Sequence, residues 1–210
     1  MCARVSVRRR TVAAYLPLLQ AMPRPAGHAL ASAIANNLEG LDRQLVTGKN
    51  RAQWHHAVRS LLTGYAPATW DAPAGETEES RLIRASVLSD LGLIGADPKI
   101  ISGPREVTDR FLNDPTSVDP TIATRALGIA ATFGDAALFD RLMSLYEKTD
   151  NPALKNNYLF TLTQFRDPKL IARAIDYAFS GKVRSQNLPG ILASLDFNPY
   201  ARAQAWTPVT

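Results

Sequence analysis

The sequence predicts an all-α fold, an α-α superhelix of HEAT-like helical hairpin repeats with no sheet. Three observations carry this. Helix-start signals recur at a fixed interval: Asp119-Pro120, Asp135 after Gly134, Asn151-Pro152 and Asp167-Pro168 fall roughly 16 residues apart. The stretches between them set apolar residues three or four apart, which aligns one face for burial. None shows the sustained alternation of a strand. Two helices per unit gives a period near 32, within the range of helical hairpin repeats.

Each start signal has a mechanism. An Asp or Asn side chain accepts from the free amides of a first helical turn, and proline fits the first helical position, where its missing N–H costs nothing. After the first break the apolar positions are Ile122, Ala126, Ile129, Ala130 and Phe133; after the second, Leu138, Leu142, Leu145 and Tyr146. The third interval carries Leu154, Tyr158, Leu162 and Phe165, and the fourth Leu170, Ile171, Ala174, Ile175 and Ala178. Gly134 and Gly181 read as helix stops.

The first half carries the same pattern. A helix over 26–46 lines up Leu30, Ile34, Leu38, Leu41 and Leu45, and a second over 51–62 carries Trp54, Val58, Leu61 and Leu62. A third, over 77–91, opens beside Glu76, Glu78 and Glu79, acids that suit the positive end of a helix. A short fourth covers 106–112. Between the second and third lies "GYAPATWDAPAGE", a loop by its prolines and glycines. Both sides of it are helical, so residues 26–210 read as one helical-repeat domain after a basic N-terminal segment, 1–25.

Composition narrows the function classes. Of 210 residues 46% are apolar and 20% charged, a globular balance. No apolar run approaches the roughly 18 residues of a membrane span. The single cysteine, Cys2, excludes an internal disulfide and a cysteine zinc site. Arg4, Arg8, Arg9 and Arg10 supply four of the net +5 charges. Without an aromatic or glycine-rich pattern beside them they read as a solvated end, and neither nucleic acid nor membrane is expected as a partner.

No catalytic centre emerges from the motifs. His55 and His56 are adjacent, so on a helix they point about 100° apart and cannot grip one metal together; His28 is isolated. There is no HExxH and no GxSxG. "VTGKNRA" lacks the upstream glycine and following Ser or Thr of a P-loop and reads as a turn, while "LGLIGADP" follows a helix, the wrong context for a dinucleotide fingerprint. "GETEES" is an acidic helix start. Trp54, Phe133, Tyr146, Tyr158 and Phe165 sit on apolar faces and read as core. Arg125, Arg166, Arg173 and Arg184 recur near helix ends, where a concave face would let one or two meet a carboxylate. No catalytic or metal-binding residue is assigned, and the binding residues stay open.

"FGD" followed by "LYEKT", then "FRDPKLI", "VRSQNLPGIL", "NP" and "AW" resemble the C-terminal helical domain of zinc aminopeptidases of the aminopeptidase N and puromycin-sensitive type. "TWDAPAGETEESRLIRASVLSDLGLIGADPKI" resembles the same domain's loop and acid-led helix. The resemblance runs from about Leu30 to Trp206. It implies a HEAT-like superhelix that packs on a thermolysin-like catalytic domain, closes over the active site and selects peptides whose N-terminal residues the enzyme removes. It also implies that zinc belongs to the parent enzyme and not to this chain, which is expected to be inactive alone. The partners implied are that catalytic domain and the peptide substrate.

The sequence departs from the family pattern at Leu154-Lys155, at Tyr200 after "NP", and at "AWTPVT", where the family runs on into closing helices. These departures imply a fragment of a longer aminopeptidase or a truncated gene product, with an exposed apolar patch near Ile191, Leu195 or Trp206 and a tendency to oligomerise or aggregate. A free-standing scaffold that binds protein partners is the alternative reading, and a basic nucleic-acid-binding repeat a third. The compartment stays open between cytoplasm and periplasm.

Overall fold

Asp119, Asp135, Asn151 and Asp167 each stand at the N-cap of a helix. Asp119 accepts from the amides of Thr121 and Ile122, Asp135 from Leu138, Asn151 from Ala153 and Leu154, and Asp167 from Lys169. Each cap satisfies donors that a helix start would otherwise leave open, an effect of about 1 kcal/mol. The computed structural model describes residues 28–46, 48–62, 64–65 and 67–201. The arginine-rich segment 1–25, with Cys2, and Trp206 lie outside the described residues.

All regular elements among the described residues are helical. They are α1 (His28–Leu45), α2 (Arg51–Leu62), α3 (Glu78–Leu93), α4 (Pro98–Ser102), α5 (Pro104–Asn113) and α6 (Pro120–Thr132). After these come α7 (Ala136–Lys148), α8 (Pro152–Thr161), α9 (Pro168–Ala178) and α10 (Leu188–Phe197), with 3-10 turns at Leu162–Gln164 and Ser185–Asn187. No helix among the described residues is long and apolar enough to cross a membrane. The chain divides into two compact units, Met1–Ile100 and Ile101–Thr210.

In the first unit α1 and α2 both pack on α3. Ile34, Leu38, Trp54, Val58, Leu61 and Leu88 are buried, as their spacing requires. The loop over 64–76 is pinned from below. Arg84 of α3 is 1% exposed and grips both carboxylate oxygens of Glu76, at 2.5 and 2.8 Å. Its remaining nitrogen donates to the carbonyls of Thr69 and Trp70, at 2.8 and 3.2 Å. Glu76 therefore serves Arg84, and the start of α3 is held by a reciprocal pair of bonds between Thr77 and Ser80.

In the second unit α5 packs on α6 and α7 on α8. Edge-to-face rings tie distant parts of the unit together: Phe111 of α5 with Tyr158 of α8 at 6.3 Å, Phe139 of α7 with Phe165 after the 3-10 turn at 5.3 Å, and Tyr146 of α7 with Tyr177 of α9 at 6.0 Å. Gly181 has φ +80°, the left-handed stop expected after α9.

Three expectations need correction. Phe133 is only half-buried, because it closes α6 beside a cavity and not within the core. The interval begun by Asn151 does not stay α-helical to Phe165 but tightens into a 3-10 turn at Leu162. There Thr163 bonds back to the Phe160 carbonyl and across to Ser194, which competes with the helical ladder. Ile191 and Leu195 are buried, at 1% and 0% exposure. α10 is apolar nearly all round, and it presents Leu192 and Phe197 to solvent instead, with Tyr200 just beyond its end.

Candidate functional site

A cavity of about 430 Å³ opens in the second unit. The end of α4 contributes Ile101 and Ser102, α5 contributes Arg105, Thr108 and Asp109, and the end of α6 contributes Ala130 and Phe133. Gly134 and Asp135 form the corner, and Ala137, Leu138 and Arg141 of α7 complete it. Arg105, Thr108 and Asp109 share a face because they stand three and four apart on α5. Ala137, Leu138 and Arg141 do the same on α7.

The corner needs glycine for space. A Cβ on Gly134 would stand 2.6 Å from the Ala130 carbonyl oxygen and 3.1 Å from both Leu138 and Phe165. That close approach brings the end of α6 and the start of α7 together at the cavity. Asp135 spends its carboxylate on the Leu138 amide, holding the first turn of α7 at the rim.

The walls combine fixed charge with apolar surface. Arg141 donates to Asp109 at 2.6 Å and to Asn113 at 2.9 Å, so its guanidinium is oriented and Asp109 is neutralised. Arg105 is exposed at the rim. Outside the aromatic wall, the Arg166 guanidinium lies over the Phe133 ring at 4.7 Å. Thr108 is 2% exposed, and its hydroxyl oxygen is buried with no hydrogen-bond partner.

The structure places the residues singled out in the sequence as follows. His55 is half-buried, its imidazole held below the usual range by burial and then by Arg51; His56 is exposed. The side chain of His28 lies outside the described residues. Among the described residues no group of three His, Cys, Asp or Glu side chains could hold a metal ion, so they do not fit a zinc ion. Gly48 to Asn50 form an exposed turn, and "LGLIGADP" closes α3 through bonds from Gly95 to Asp90 and from Asp97 to Leu91. Arg173 stacks on Phe139 and pairs with Asp140, while Arg125 and Arg184 are exposed. Of the four arginines only Arg166 reaches the cavity, through Phe133. Sequence reasoning missed Arg105, Thr108, Asp109 and Arg141; the usable signal was a polar face on α5 facing a polar face on α7.

A family model described as the ERAP1-like C-terminal domain matches residues 3–210. The chain belongs to that family. Relatives of this ERAP1-like domain include the "Probable aminopeptidase 2" of Sulfurisphaera tokodaii, 28% identical over 130 residues, which is 61% of this chain and 16% of the relative. "Aminopeptidase M1-B" of Oryza sativa subsp. japonica is 23% identical over 206 residues, 95% of this chain and 24% of the relative. The "Puromycin-sensitive aminopeptidase" of Caenorhabditis elegans is 30% identical over 115 residues, 54% of this chain and 12% of the relative. The chain thus spans no more than about a quarter of the length of these curated relatives.

The words that carried the resemblance do structural work in this ERAP1-like domain. In "FGD", Phe133 walls the cavity, Gly134 permits the close corner and Asp135 caps α7. In "FRDP", Phe165 is core, Arg166 covers Phe133 and Asp167 caps α9. In "NP", the Asn198 side chain donates to the carbonyls of Thr163 and Phe165.

Proposed function

We propose that the chain is a non-catalytic lid and substrate-selection domain of a zinc-dependent aminopeptidase that removes N-terminal residues from peptides. The observation that carries this reading is the family match over residues 3–210, beside the similarity to far longer proteins that bear aminopeptidase names. In this reading the zinc would be held by a catalytic portion in cis. A stack of capped helices suits the role. The helices α6, α7, α8 and α9 are each fixed at their start by a side-chain cap, so the surface they offer to a peptide is preorganised before the peptide arrives.

The test is a chimera of the rice relative in which this chain replaces the matching segment. Release of a chromogenic amine from a single-residue amide reports that the catalytic portion is folded. The ratio of turnover on a long peptide to turnover on a dipeptide should then shift against the parent relative. An unchanged ratio with full single-residue activity would remove the selection role and favour the free-standing scaffold.

A further inference from the structure

We draw no further inference here: the strongest candidate, the cavity of about 430 Å³ between α5 and the α6–α7 corner, balances Arg105 and Arg141 against Asp109 and Asp135 in its lining, and nothing in the structure shows what fills it.

Discussion

The side-chain amide of Asn198 donates to the carbonyl of Phe165, 33 residues earlier, at 2.8 Å. A second bond of 2.8 Å runs from the same nitrogen to the carbonyl of Thr163. Together they fasten the end of α10 to the 3-10 turn that interrupts the stack. Asn198→Ala strips both carbonyls of a partner in a buried place, so urea unfolding should show a loss of about 2–3 kcal/mol. Asp140→Ala, which breaks the exposed pair with Arg173, should cost less than about 1 kcal/mol. If the two variants lost equal stability, Asn198 would not be the fastener described here.

Arg84 and Glu76 make a pair that tolerates removal of both partners better than removal of one. Their side chains are 1% and 5% exposed. Glu76→Gln alone leaves the buried Arg84 charge without its carboxylate and should cost about 3–5 kcal/mol, and Arg84→Met, which leaves Glu76 the longer pair with Arg81 at 3.7 Å, should cost less. Limited proteolysis should then cut first within 64–76, since Arg84 also holds the carbonyls of Thr69 and Trp70. The double variant should lose less than the sum of the two. Strict additivity in a double-mutant cycle would contradict the coupling.

Two carboxylates should give stability slopes of opposite sign against pH. Burial raises the Asp42 carboxyl above its usual range, opposed by Arg51. The folded chain therefore takes up this proton before the unfolded chain does. Asp42 adds stability as pH falls from the raised value toward the ordinary one, and that gain is lost as pH rises again. The bonds from Lys182 and Tyr177 hold Glu147 below its usual range. Its contribution is present above the ordinary glutamate value and is lost as pH falls through the depressed one. Urea midpoints followed across the acid range should lose the first slope in Asp42→Asn and the second in Glu147→Gln. A wild-type slope in either variant would show that the residue is not its source.

The outward face of α10 predicts self-association without a role in folding. Phe197 is 63% exposed and Leu192 39%, with Tyr200 at 50% just after the helix. Replacing Leu192 and Phe197 together by serine should change the unfolding free energy from urea titration by no more than about 0.5 kcal/mol per residue and lower the sedimenting mass at high concentration. Leu195→Ala, on the buried side, should cost about 2–5 kcal/mol. An unchanged mass in the double serine variant would place any association elsewhere.

The helix starts were legible in the sequence because capping is local. Asp119, Asp135, Asn151 and Asp167 act on amides two or three residues ahead. What required distant partners was not legible. Nothing local in the sequence marks Arg84, which is buried only because Glu76 and the loop carbonyls of Thr69 and Trp70 close around it. The periodic pattern does not orient α10, where apolar residues face every direction: the exposed side near Ile191 and Leu195 consists of Leu192 and Phe197, while Ile191 and Leu195 themselves are buried. Phe139, fully buried, was passed over beside the stripe of Leu138 and Leu142. The cavity stayed hidden because Thr108 and Arg141 meet only when α5 and α7 are brought together.

The central proposal is that this chain shapes and holds and does not itself cut. Purified chain, incubated with zinc and then freed of loosely bound metal, can be assayed for zinc content and for release of an N-terminal residue from a chromogenic amide. We expect no stoichiometric zinc and no turnover above buffer. Stoichiometric zinc with turnover that a chelator abolishes and that co-purifies with the chain would contradict the account.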